Sequence, residues 1–250
     1  MKTFATFLSL LFIGGTVLKG EQISFSSSPA CRPDIMSCSA ENVDTCCSPK
    51  YGVVVLALQW LEDAGPKDGF TLHGLWPDKC DGHYPPFQGC DHTRAYNNVE
   101  EILRNNTELY EKMKRYWPSY TGDLNKFWSH EWVKHGTCVT TLEPRCYGSD
   151  YQKYQEVQDF FSQALALRDK FDMYATLAKA GIVPGRRYRA VDMHSAIMDY
   201  LDADAELICV RGQLREIRLY FKVRGTDGYQ VIDSLRSGNC GGYVDYPEKY

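Results

Sequence analysis

The chain reads as an α+β domain with flanking helices around a largely antiparallel central sheet. Three features predict this: apolar strand-length runs near both ends, helical periodicity between them, and no repeat, linker or low-complexity block dividing the chain. The composition agrees. Of 250 residues, 44% are hydrophobic, 13% aromatic and 24% charged, ordinary values for a globular protein. They exclude a disordered chain, a collagen-like or coiled-coil rod, and a small disulfide knot with almost no core. A formal charge of −4 excludes a strongly basic field that grips nucleic acid without selectivity.

The first twenty residues have the pattern of an export signal. Met1-Lys2 is a short positive start, Phe4–Ile13 is an apolar stretch, and Gly14, Gly15 and Gly20 supply small residues near its end. The run is shorter than the ~20 apolar residues that span a bilayer, so cleavage near Gly20 is expected rather than a membrane anchor. Loss of Met1–Gly20 removes Lys2 and Lys19 and moves the formal charge from −4 to −6. Residues 21–250 are expected to form a single domain.

Residues 21–50 are polar and rich in Ser and Cys, which predicts an irregular arm. Tyr51–Trp60 (YGVVVLALQW) is a β-branched and apolar run, read as a buried central strand. Gly69–Trp76 reads as a second strand ending at Pro77, followed by a long ordered loop over Asp78–Thr93. Helical periodicity covers about 97–116, 123–136, 150–166, 169–180 and 192–201. Strands return at Glu206–Val210, Leu214–Val223 and Tyr229–Asp233, with Gly225-Thr226-Asp227-Gly228 as a hairpin turn.

Ten cysteines follow the signal, an even number that in an exported chain predicts five disulfides. Zinc is the competing reading, but no C-x-x-C pair occurs anywhere. Counting does not give the connectivity. One sequon, Asn105-Asn106-Thr107, offers a glycan site on Asn105.

The chemical signal lies in the histidines. Of the six, three fall in two aromatic-rich segments, FTLHGLWPD (Phe70–Asp78) and FWSHEWVKHGTC (Phe127–Cys138). The second segment is close to the zinc-protease pattern H-E-x-x-H, but His130 and His135 are one residue too far apart. At about 100° per residue they point about 140° apart on a helix and cannot share one metal. Glu131, Lys134 and His135 instead share one face. An acid, a base and a cation so placed suit proton transfer at an anionic centre, and His73 offers the second histidine. No metal or other cofactor is expected. His83, His92 and His194 read as structural or exposed.

The two segments, HGLWP at His73–Pro77 and HEWVKHGTC at His130–Cys138, resemble the active-site segments of the ribonuclease T2 family of secreted acid endoribonucleases. The Cys46-Cys47 doublet, AGIVP at Ala180–Pro184 and LREIRLYF at Leu214–Phe221 extend the resemblance over nearly the whole mature chain, and the cysteine layout resembles the fungal branch. That resemblance implies the pairing Cys31–Cys47, Cys38–Cys80, Cys46–Cys146, Cys90–Cys138 and Cys209–Cys240. It implies that His135 takes a proton from the ribose 2′-hydroxyl and His73 gives one to the departing 5′-oxygen. Glu131 and Lys134 would stabilise the transition state, and His130 would bind phosphate. Trp76, Asp78 and Tyr84 match one base site, and Gln59, Pro118, Ser119 and Phe127 a downstream one.

The expected partner is therefore single-stranded RNA, with little base specificity and an acidic optimum. DNA, lacking the internal nucleophile, is not cut. A monomer is expected, secreted or held in a vacuolar or lysosome-like compartment. Two rivals keep the fold: a non-enzymatic binding or signalling module, and a plant-type self-recognition toxin.

Overall fold

The computed structural model describes residues 35–39, 43–225 and 227–250. The expected signal segment, Cys31 and Thr226 of the hairpin turn lie outside them. β1 (Val53–Gln59) is buried along its whole length, as its unbroken apolar run requires. β2 (Thr71–Asp78) pairs with it and runs through Pro77, two residues further than Trp76. Proline is tolerated there because β2 is an edge strand.

The helical stretch expected over 97–116 is two helices, α1 (Val99–Arg104) and α2 (Thr107–Tyr116). The break is at Asn106, whose side chain accepts from Leu109 N at 3.1 Å and so starts a new helix. α3 (Leu124–Lys134) is capped in the same way by Asp123. α4 (Gln155–Lys170), α5 (Met173–Lys179) and α6 (Ala190–Leu201) follow, with the polar strand β3 (Arg186–Arg189) between the last two. The chain closes through β4 (Glu206–Val210), β5 (Gln213–Arg224), β6 (Gly228–Ile232) and β7 (Tyr243–Tyr246).

The sheet runs β2-β1-β5-β7-β3. β5 organises it: one edge takes β1, while β4 and β6 share the other edge end to end. Those ladders and β3–β7 are antiparallel, with one parallel register contact, Gln213 to Asp245. The pair β3–β7 has no counterpart among the expected strands, because Arg-Arg-Tyr-Arg carries no apolar alternation.

Alternation on β1 and β5 divides the sheet into two faces. Leu56, Leu58, Ile217, Leu219 and Phe221 join the main core with Trp117, Trp128, Trp132 and Phe160. The other face carries Val53, Val55 and Tyr220, with Trp76 packed against them. Glu216 and Arg218 lie in register with Gln59 and Ala57 on that same face. The sheet thus has an apolar side under the helices and a polar side open to chemistry.

Four of the five expected bridges lie among the described residues: Cys38–Cys80, Cys46–Cys146, Cys90–Cys138 and Cys209–Cys240. The fifth, Cys31–Cys47, depends on Cys31, which lies outside them, and no described cysteine is free. Cys38–Cys80 ties the arm to the end of β2, and buried Ser37 docks it on β5 by accepting from Val223 N at 2.8 Å. Among the described residues no helix is long and apolar enough to cross a membrane.

Candidate active site

His73 reaches the polar face through a β-bulge. Ala57 pairs with Gly74 and Leu58 with Leu72, which leaves His73 as the extra residue. Without the slip, Leu72 and Leu75 would lie on opposite faces, since they are three apart. Both are in the core. Expelling one would forfeit about 1.5–3 kcal/mol, against about 0.5–1.5 kcal/mol for a ladder hydrogen bond, so the bulge prevails. It re-aims the imidazole toward β5, where Nδ1 lies 2.6 Å from Glu216 Oε1. A carboxylate only accepts, so Nδ1 carries the hydrogen and Nε2 faces the site.

Indole donors fix the rest of the motif. Trp117 Nε1 donates to the His73 carbonyl at 3.0 Å, and Trp128 Nε1 donates to the Trp117 carbonyl at 2.9 Å. The buried face of α3 is thereby joined to β2. Trp76 Nε1 donates to Glu131 Oε2 at 3.0 Å, and the Trp76 ring contacts His73 edge-on at 4.9 Å and stacks near His135 at 5.4 Å.

Glu131 is only 2% exposed. His135 caps the C-terminus of α3, its N–H donating to the Glu131 carbonyl at 3.1 Å. Cys138 follows within one short turn, and its bridge to Cys90 fastens that turn to the loop after β2. Among the described residues, no group of three or more His, Cys, Asp or Glu is arranged to hold a metal ion.

The environment pushes the two histidines in opposite directions. Burial disfavours the His73 cation, but the hydrogen bond and charge of Glu216 outweigh it and raise the pKa above the ordinary value. Burial also opposes charge on Glu216, yet His73 and Arg218 hold it below the usual carboxylate range. His135 has no such partner. Burial, reinforced by the charges of Lys134, His130 and His73, drives it well below the ordinary histidine value. Burial pushes Glu131 up to about 7. His130, exposed one turn before Lys134, is lowered by partial burial and by Lys134.

The expected base-site residues fall toward opposite ends of β2. Trp76 and Asp78 share the polar face near its end. Asp78 is 2% exposed and bonds Arg236 Nη2 at 2.8 Å. The Arg236 guanidinium lies 4.2 Å from the ring centre of Tyr84, which is 67% exposed. Near the start of β2, Gln59 is buried and donates to the Leu72 carbonyl at 2.9 Å. The Phe127 ring is 6.3 Å from that of His73. Pro118 and Ser119 follow Trp117, with Ser119 Oγ bonded to Thr121 Oγ1 at 3.0 Å. Of the remaining histidines, His83 pairs with Asp81 at 3.1 Å, His194 lies 3.7 Å from Asp204, and His92 is exposed.

The two histidine motifs gave no notice of Glu216, Arg218 or Arg236, and LREIRLYF, which contains the first two, carried resemblance without a role for either. Arg218 Nε donates to Glu216 Oε2 at 2.7 Å and its Nη1 reaches Glu206 Oε1 at 3.5 Å. Tyr220 Oη donates to Glu206 Oε2 at 2.6 Å, and Arg236 Nη1 donates to Tyr220 Oη at 3.2 Å. A continuous polar chain therefore runs beneath the site from Asp78 to His73. The signal was present in β5, where Glu216, Arg218 and Tyr220 alternate with Ile217, Leu219 and Phe221.

Gly74 is fitted to this arrangement. A Cβ there would lie 2.0 Å from Trp76 Nε1 and 2.3 Å from Glu131 Oε2, the two ends of one hydrogen bond. Gly74→Ala is therefore expected to separate them and to lower kcat/KM by about 10²-fold, the cost of a displacement near 1 Å. Steady-state kinetics beside a melting curve tests this: activity falls far more than stability.

Paired histidines with oppositely shifted pKa values, beside a lysine and a buried carboxyl, make a candidate acid–base site for an anionic substrate on an α+β sheet. Comparisons with known proteins specify which kind. The family model described as Ribonuclease T2 family matches residues 34–234. Ribonuclease Rh of Rhizopus niveus is 47% identical over 222 residues, covering 88% of this chain and 93% of that protein. Ribonuclease T2 of Aspergillus oryzae is 42% identical over 226 residues, covering 85% and 81%. The crystal structure of Actibind, described as one of the T2 ribonucleases, aligns with a TM-score of 0.81 at 39% identity, over 88% of this chain and 98% of that one. The chain belongs to the ribonuclease T2 family.

Proposed function

We propose that the chain is an endoribonuclease that cuts single-stranded RNA by transferring the phosphodiester from the 5′-oxygen to the neighbouring 2′-oxygen. The observation that carries this reading is the unlike setting of the two histidines: His73 is hydrogen-bonded to Glu216, which raises its pKa, while burial beside Lys134 lowers that of His135. His135 accepts the proton of the ribose 2′-hydroxyl as that oxygen attacks phosphorus. His73 delivers the proton on its Nε2 to the 5′-oxygen as the P–O5′ bond breaks. Lys134 and Glu131 stabilise charge on the non-bridging oxygens, and His130 holds the phosphate. The products are a 2′,3′-cyclic phosphate and a 5′-hydroxyl. With the histidine roles reversed, water opens the ring to a 3′-phosphate.

An acidic optimum follows from the same groups. His73 is an acid only below its raised pKa, and Glu131 is neutral toward phosphate only below about 7. Neutral His135 persists at low pH because its own pKa is depressed. Trp76, Asp78 and Tyr84 are assigned to one base and Gln59, Pro118, Ser119 and Phe127 to the next. Stacking on aromatic rings contributes about 1–3 kcal/mol per base with little preference, which supports low specificity. DNA lacks the 2′-hydroxyl and is not cut.

The mature chain is assigned as one secreted domain over residues 21–250, monomeric, with vacuolar retention the alternative destination. The exposed position of Asn105 at the end of α1 suits a glycan. Digestion of RNA in excess EDTA tests the chemistry: cyclic-phosphate and 3′-phosphate ends are expected. Activity abolished by chelation, or 5′-phosphate ends, overturns it. No observation favours a non-enzymatic role, since both histidines are in place.

A further inference from the structure

We propose that a groove beside α3 binds one further nucleotide of the RNA strand, with Phe87 stacking its base and Lys126 neutralising its phosphate. This rests on the RNA-cutting reading above and extends it beyond the two base sites already assigned. The groove encloses about 330 Å³ and is lined by Phe87, Lys126, His130 and Lys134 among others. That volume is at the lower end of the ~300–1,000 Å³ usual for ligand clefts. Lys126, His130 and Lys134 recur every four residues on α3 and form one stripe. Its far end is shared with the catalytic group, so a strand leaving the site runs directly onto it.

Two observations point to an anionic, base-bearing occupant. The lysine ion pairs among the described residues are Lys112–Asp169 and Lys114–Glu111, so Lys126 and Lys134 are in none, although the charge of Lys134 is felt by buried Glu131. On a chain with a net negative charge, two lysines outside any ion pair on one helix form a local attraction for phosphate. Phe87 is 80% exposed and lies under the Lys134 ammonium, 5.0 Å from its ring centre. Its loop is held in place. Gly89 N–H donates to the Pro86 carbonyl at 3.0 Å, and a Cβ on Gly89 would lie 2.1 Å from the Val133 carbonyl on α3. Cys90, three residues beyond the ring, is bridged to Cys138. An aromatic presented on a fixed loop beside cations is the arrangement that recognises single-stranded nucleic acid.

The test compares substrates of different length on the full chain. One is the dinucleoside monophosphate ApA, and the other is a hexanucleotide with a single central ribonucleotide, so that each has one cleavable bond. Phe87→Ala is expected to lower kcat/KM on the hexamer by about 5–160-fold, and Lys126→Gln to reduce its log–log salt slope by about 0.7. Lys126→Gln is expected to leave ApA unchanged, and Phe87→Ala, which removes a contact with Lys134, to cost far less on ApA than on the hexamer. Equal losses on both substrates, or none on the hexamer, overturn the subsite. Binding of an uncleavable 2′-O-methyl hexamer separates this from failure of the catalytic reading. Even if wild type cleaves neither substrate, Phe87→Ala weakens that binding by a similar factor, and unchanged binding overturns the proposal.

Discussion

Replacing His73 or His135 by Ala is expected to lower kcat/KM on RNA by about 10²–10⁴-fold each, the range for loss of a positioned general acid or base. The two variants are expected to differ when the leaving group changes. In uridine 3′-(4-nitrophenyl) phosphate the departing oxygen is stable as an anion and needs no proton. His73→Ala then recovers most of its lost rate, whereas His135→Ala stays slow because the 2′-hydroxyl still requires a base. Near-UV circular dichroism and Tm check that both variants fold. Rescue of His135→Ala instead of His73→Ala would reverse the assigned roles.

Glu216→Gln is expected to move the alkaline limb of the pH–rate profile toward acid. In the wild type, the Glu216 hydrogen bond and charge raise the His73 pKa against burial and against Arg218. Once they are removed, burial, the largest influence, and Arg218 lower it, opposed only by the smaller effect of the Glu131 charge. His73 must be protonated to serve as acid, so the active fraction is lost at a lower pH than before. At neutral pH the rate is expected to fall by about ten- to a hundredfold, as for an interaction of about 1.5–3 kcal/mol with a charged group. At the acid end the variant approaches wild type. Glu216 acts through His73 and is a positioning residue, so the pH profile separates its role from a general loss of structure. A uniform drop at every pH would show that Glu216 only supports the fold.

The two histidine segments could be read along the chain because each is a continuous run, and the structure places them side by side. The pairing of charged groups could not be read in that way. Glu216 lies 143 residues from His73, and only the strand register brings them together. The bulge at His73 left a trace in the spacing of Leu72 and Leu75, which is three rather than two or four, but that trace has meaning only once both are known to be buried. Strand β1 was legible from its unbroken apolar run, whereas β3 and β7 were not, since they pair through backbone without an apolar face. The break between α1 and α2 shows the limit of periodicity: the apolar spacing continues across Asn105-Asn106, and the cap at Asn106 overrides it. Four of the implied disulfides are present, and that pairing came from resemblance, since counting cysteines leaves it open.

One fold is expected to favour the protonated form of His73 and the neutral form of His135. Imidazole ¹⁵N chemical shifts of the free protein, followed from about pH 4 to 8, measure this directly. His73 is expected to titrate above the ordinary value of about 6.5 with its Nδ1 proton retained, and His135 to stay neutral through most of the range. Titration in the reverse order, or of both histidines near the ordinary value, would contradict the account.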